Sequence, residues 1–410
     1  MNTRWWMLLL LLPSLALAGG NDWIFHVMNA HGPRRALDNP AELGAGRNRL
    51  TIEIPGGGMT ASNNSFSVRF WNSRIAGDAY WDRSETRQIL GHIPASGLEL
   101  QAEAVLPAIG VQWRNFAVNV QALATARMSV PKDAATLALV GNQLSQSYSL
   151  SDLVGQTLAI TDYSLAYGRI IPQSYLPELS GGASVHYYYG LVYTDTRNST
   201  ADLLATEERI AGSGSFENIS ALSGRGFGVD LGLAAQITPR LKAGLAVQRL
   251  GARMSWSIDE TQQVRFQTQN DGLIIDSLDN DSYTDRVFTQ SDTTLKGGRT
   301  TLRLPPVARL SGLYQINPRW SAGVLWTVRT GSSPFGKVGH EAGVMTGYQT
   351  MSWLTVEGGL LLGGPHRSLF CAGAGVRLGH YELDLGFASA GGLFTSARGM
   401  GISVGQRIAF

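Results

Sequence analysis

Cysteine is nearly absent: Cys371 is the only one in 410 residues, so no intrachain disulfide can form. After residue 18 no segment approaches 18 consecutive apolar residues, which excludes membrane-spanning helices. Charge is also scarce. Asp, Glu, Lys and Arg make up 16% of the chain and nearly cancel, at +2 net, so no nucleic acid or other polyanion is expected as a partner. The seven histidines (26, 31, 92, 186, 340, 366 and 380) never pair at i, i+4 with a third ligand nearby, so neither a metal nor a cofactor is expected. Asp279-Asn280-Asp281 opens like a calcium loop. It lacks Gly at the sixth position and has Gln290 at the twelfth, so it reads as a solvated loop. Nothing marks an activated serine, and the chain reads as a non-enzyme. Ser/His or Asp/His partners far apart in sequence would escape such a reading.

What is present is a leader, glycine and alternation. Met1 to Arg4 is basic, Trp5 to Leu12 is apolar, and Ala16-Leu17-Ala18 has the small-x-small spacing of a cleavage site. Residues 1–18 therefore read as a secretory signal peptide, and no Cys follows that would make a lipoprotein. Glycine is abundant at 49 residues, and hydrophobic content is 44%. Both suit twisted strands that face lipid on one side and a wet interior on the other.

The alternation has period two. Phe227, Val229, Leu231 and Leu233 share one parity, and Asp230 and Gln236 the other. Leu245 opposes Lys242, Val324 and Trp326 oppose Arg329, Val356 opposes Glu357, Ala374 and Val376 oppose Arg377, and Leu383 and Leu385 oppose Glu382 and Asp384. Asp230, Lys242, Arg329, Glu357, Arg377, Glu382 and Asp384 are accordingly expected to face a barrel lumen, with the apolar parity facing lipid. Pro turns recur between strands, at Thr238-Pro239-Arg240 and Asn317-Pro318-Arg319, and Gly379-His380 makes a third short connection. Long polar stretches such as Asp259 to Arg299 lie elsewhere, so short turns occupy one side and long loops the other. Trp113, Trp256, Tyr314, Trp320, Tyr348, Trp353 and Tyr381 sit near segment ends, as interfacial girdles would. Ala79 to Ile93 and Pro131 to Gly141 break the strand pattern and read as short helices in connections. The fold class is all-β: a transmembrane antiparallel β-barrel of about 14 strands.

The last eight residues, Ser403-Val404-Gly405-Gln406-Arg407-Ile408-Ala409-Phe410, resemble the closing strand of an outer-membrane barrel. That resemblance implies that Ser403, Gly405, Ile408 and Phe410 form the signal read by the barrel-assembly machinery. It places the protein in a Gram-negative outer membrane, among lipid and lipopolysaccharide.

Gly32-Pro33-Arg34-Arg35-Ala36-Leu37-Asp38-Asn39-Pro40-Ala41 contains the Asn-Pro-Ala element of the FadL-like barrels, a superfamily of fatty-acid and hydrocarbon transporters and PorV-type secretion proteins. Phe227 to Gly232, Thr238 to Leu245, Asp162 to Arg169, and Pro131-Lys132-Asp133 with Gly141-Asn142 are similar to members of the same superfamily. The resemblance implies that residues 19–46 form a hatch-like segment, with Asn39, Pro40 and Ala41 as its motif, folded into a barrel of residues 47–410. It implies either a transporter for a small hydrophobic ligand or a PorV-like scaffold for a secreted protein. An apolar pocket behind the hatch would favour transport, a filled lumen with large ordered outer loops a scaffold, and a Ser/His or Asp/His contact at the rim a third reading, a structural barrel or rim enzyme.

Overall fold

A computed structural model describes residues 32–44, 50–76, 81–141, 143, 145–206, 209–268, 273–274, 288–331, 339–364 and 366–410. The leader and the acidic stretch at 279–285 lie outside them.

The strands are β1 (Leu50–Asn63), β2 (Leu98–Trp113), β3 (Phe116–Val130), β4 (Gln146–Ser149), β5 (Val154–Ile170) and β6 (Glu178–Ala205). β7 (Arg209–Thr238), β8 (Leu241–Thr268), β9 (Leu273–Ile274), β10 (Phe288–Lys296), β11 (Arg299–Arg303) and β12 (Val307–Asn317) follow. The last are β13 (Trp320–Arg329), β14 (Gly339–Met351), β15 (Leu354–Gly363), β16 (Ser368–Leu378), β17 (Tyr381–Ala390) and β18 (Gly399–Ala409). Every pairing is antiparallel. β1 pairs with both β2 and β18, so the sheet closes into a barrel of 14 strands. β10, β11 and β12 run in turn along one side of β8. Gly297 and Gly298, at φ +82° and +118°, interrupt that line first. Pro305-Pro306, which offers no backbone N–H, interrupts it again.

The two faces differ as the alternation requires. Phe227, Leu231, Leu245, Val324 and Val344 are exposed on the outer surface, while Asp230, Thr327, Glu357 and Asp384 are buried inside. Tight turns at Arg114-Asn115, Pro239-Arg240, Pro318-Arg319, Ser352-Trp353 and Gly379-His380 gather at one end. The opposite end carries the long connections, including the helices Arg83–His92 and Lys132–Val140. The first starts on a capping box: Asp82 accepts from the Ser84 and Glu85 backbone N–H groups while Glu85 accepts from Asp82 N–H. The second ends at Gly141, at φ +83°.

β6, β7 and β8, of 28, 30 and 28 residues, are far longer than the 9–11 or so that cross a bilayer. Their far halves project at the long-loop end and pair with β4, β9 and β10. The inner face there is apolar, with Leu158, Ile160, Tyr188, Tyr193, Met254 and Trp256 packed together and nearly solvent-free. This corrects one expectation. Trp256 is no girdle aromatic; it has the parity of Gln248 and Met254 and lies fully buried inside. Trp113, Tyr314, Trp320 and Trp353 are exposed beside the tight turns.

The wall is irregular at one level. In β1, Pro55-Gly56-Gly57-Gly58 breaks register with β18 between Ile54 and Gly57, and with β2 on both sides of Gly56. Gly56 pairs with Ala108, next to Pro107, where β2 in turn slips against β3 between Leu106 and Ile109. Prolines in both strands withdraw ladder donors at the same height, and bulges absorb the mismatch.

Candidate functional site: a segment inside the barrel

Residues 32–44 touch strands from β18 round to β12, which only a segment lying across the interior can do. Gly32 abuts Thr51 and Arg407. Pro33 packs on Gly110, and its carbonyl accepts from Asn119 Nδ2 at 3.1 Å. Arg34 Nε pairs with Glu53 at 3.1 Å. A one-turn helix, Arg35–Asp38, follows, and Gln248 Nε2 donates to the carbonyls of Leu37 (2.5 Å) and Asp38 (3.2 Å). Asp38 pairs with Arg309, while Glu42 pairs with Lys242 and, at 3.3 Å, with Arg35.

Asn39-Pro40-Ala41 is buried throughout. Asn39 is extended (φ −153°, ψ 106°), and its Oδ1 accepts from Ala41 N–H at 3.0 Å, capping the 3-10 turn Pro40–Leu43. Its Nδ2 donates to the Leu233 carbonyl at 3.0 Å and reaches that of Leu245, the register partner of Leu233, at 3.5 Å. The wall is recessed to receive it. Gly168 pairs with Gly182 and Gly182 with Gly232, so three glycines form a row across β5, β6 and β7. A Cβ at Gly168 or Gly182 would overlap the Pro40 backbone, and one at Gly232 would overlap the Asn39 side chain. Ala41 has no exposed surface, and its carbonyl accepts from Ser180 Oγ at 2.8 Å.

The residues expected to line the lumen fall into separate clusters. Lys242 meets the inner segment at Glu42. Arg377 and Arg407 both pair with Glu382, and Arg407 also reaches Asp384 at 3.1 Å. Arg329 pairs with Glu341 at 3.3 Å, and Glu357 is buried on β15. Asp230 joins a cluster that sequence reasoning missed. His186 lies between Asp162 (Nδ1–Oδ1, 2.9 Å) and Asp230 (Nε2–Oδ2, 3.2 Å), with Ser184 Oγ 3.0 Å from Nε2. Gln121 and the Arg249 backbone N–H hold the two carboxylates from the far side. With both imidazole nitrogens facing carboxylates, this buried group ties β5, β6 and β7 together on the long-loop side of the glycine row rather than presenting a free base. A cavity of about 60 Å³ separates it from Leu37. A second cavity, of about 50 Å³, lies between the segment and β8 and β12.

At the closing seam, β18 pairs with β1 through Ile408↔Ile52 and Ser403↔Gly58, and Phe410 N–H donates to the Leu50 carbonyl at 2.8 Å. Gly405 lies against Asp384.

Residues 44–386 match the model of a family of unknown function, DUF5723. The chain belongs to that family. No curated protein matches it in sequence. Among solved structures, this member of DUF5723 is similar to the Pseudomonas putida toluene transporter TodX, at TM-score 0.52 and 11% identity, over 96% of this chain and 99% of that one. It is likewise similar to the Ralstonia pickettii toluene transporter TbuX, at TM-score 0.51 and 14% identity, with the same coverage. The fold is thus the one seen in these two toluene transporters. Neither the family match nor these structures supports a PorV-type scaffold.

Proposed function

We propose that this barrel is an outer-membrane channel for small apolar molecules, with residues 32–44 as its hatch. One observation carries the reading. The first turn of the inner segment packs on the two residues that flank the irregular wall: Arg34 on Glu53, and Pro33 on Gly110, which pair with each other across β1 and β2. Hatch and wall break are therefore mechanically one unit. Displacing the segment frees Glu53 and Gly110, loosens the ladder already weakened at Pro55 and Pro107, and gives an apolar ligand a sideways route into lipid. The inner face around Tyr188, Tyr193 and Trp256 is packed closed, and its parting would give a ligand arriving from the long-loop end an apolar lining. The exposed apolar exterior fits a membrane setting, the leader fits export, and the seam at Phe410 fits recognition by the assembly machinery. The fold shared with toluene transporters agrees with this ligand class.

The test is uptake of radiolabelled toluene by cells that express this barrel as their only such channel. Disulfide cross-linking of the segment to the wall, through Pro33→Cys with Gly110→Cys, should abolish uptake until the disulfide is reduced. Undiminished uptake in the oxidised variant would contradict the reading.

A further inference from the structure

A second polar site lies at the long-loop end, apart from the hatch. It is a cavity of about 390 Å³, within the range of small-molecule pockets, and its lining includes Ser62, Gln101, Arg127, His366 and Arg367. Ser62 is the last residue but one of β1, and His366 comes from the connection between β15 and β16, 304 residues away. Their side chains meet with Ser62 Oγ 2.7 Å from His366 Nδ1. On the opposite edge of the ring, Nε2 lies 3.9 Å from Glu103 Oε2. That nitrogen is buried and has no hydrogen-bond partner, and the His366 side chain is only 9% exposed. Glu103 is steadied by Gln101, whose Nε2 donates to Oε1 at 2.8 Å.

The histidine is presented by a tight loop. Gly363 N–H donates to the Arg367 carbonyl at 2.7 Å, and Ser368 N–H to that of His366 at 2.8 Å. Gly363, Gly364 and Arg367 all have positive φ, at +89°, +65° and +63°. A left-handed arginine beside the histidine is a backbone cost that a plain surface loop could avoid by placing Gly there.

We propose that Ser62, His366 and Glu103 form a nucleophile–base–acid relay that hydrolyses small acyl esters entering this cavity. The order hydroxyl, imidazole, carboxylate is that of an activated serine, assembled from three separated segments. Ser62 Oγ bonds to the ester carbonyl carbon as its proton passes to His366 Nδ1. Glu103 closes on Nε2–H and stabilises the imidazolium. Arg127 and Arg367, on the wall of the same cavity, are the cations available to the oxyanion. Collapse breaks the ester C–O bond, and the leaving alcohol takes the proton from Nδ1. Water then repeats the sequence on the acyl-serine, releasing the acid and restoring Ser62. This activity is independent of the hatch and adds to the channel reading.

The test uses the full-length barrel, refolded in detergent and checked by heat-modifiable mobility. A fluorophosphonate probe should add one adduct, mapped to Ser62 by peptide mass spectrometry, and Ser62→Ala should carry none. His366→Gln and Glu103→Gln should slow labelling by at least tenfold while heat-modifiability is retained. Hydrolysis of p-nitrophenyl butyrate should be lost in Ser62→Ala. No adduct at Ser62 in the folded wild type would overturn the proposal. So would labelling rates equal to wild type in both His366→Gln and Glu103→Gln, which would leave His366 as a latch holding the loop over the barrel mouth.

Discussion

The side chain of Asn39 occupies the space that a Cβ on Gly232 would fill, and its Nδ2 donates to the carbonyl of the next residue, Leu233. A residue on the inner segment and one on the wall are thus shaped to each other, although 193 positions separate them.

Gly232→Val should therefore displace Asn39 without preventing strand formation, since valine suits a strand. The expected outcome is a folded, heat-modifiable barrel whose inner segment becomes sensitive to added protease. Protection equal to wild type would contradict the fit. Gly232→Val with Asn39→Gly should recover part of the protection, because the second change vacates the contested space.

Facing follows from contact. Leu245 is exposed on the outer surface, while Lys242, on the opposite parity of the same strand, pairs with Glu42. Leu245→Arg should cost about 2–4 kcal/mol in refolding into lipid vesicles. Lys242→Gln should cost much less in barrel stability. Its loss should appear instead as a hatch more easily released, an effect that high salt reproduces in the wild type. Equal penalties at the two sites would contradict the assignment of faces.

Asp82 gives a pH prediction outside the membrane. Hydrogen bonds from the backbone N–H groups of Glu85 and Ser84 hold its carboxyl below the ordinary value. The charged form is favoured in the folded state, so the cap is at full strength above the ordinary Asp value of about 3.9 and is lost as pH falls through the lower folded midpoint. A carbon-13 NMR titration should place the Asp82 midpoint below that of an unstructured Asp. Amide protection in the helix Arg83–His92 should fall in the same window. A midpoint at or above the ordinary value would refute the capping account.

The sequence disclosed what depends on neighbours in the chain. Alternation separated Leu245 from Lys242, Thr238-Pro239-Arg240 marked a turn, and Pro131 and Gly141 bracketed a helix, because each signal spans a few residues. It could not disclose what depends on register between strands. Gly168, Gly182 and Gly232 are ordinary strand glycines until pairing aligns them into one row. Asp162 and Asp230 reach His186 for the same reason, and Ser62 meets His366 only because the barrel closes. The wall break went unread, although Pro55 and Pro107 each interrupt a strand-length run, where a Pro signals a bulge or an unpaired donor. Trp256 was misplaced because its position near a segment end outweighed its parity, which was the better guide.

The central claim is that the inner segment closes the lumen. It is tested most directly by single-channel conductance in planar bilayers, comparing the intact barrel with one lacking residues 21–46. The account predicts small or no steady conductance for the intact barrel and a large, stable conductance for the deleted one, with both equally heat-modifiable. Identical low conductance in the two would mean that the barrel is closed by something other than this segment, and would contradict the hatch.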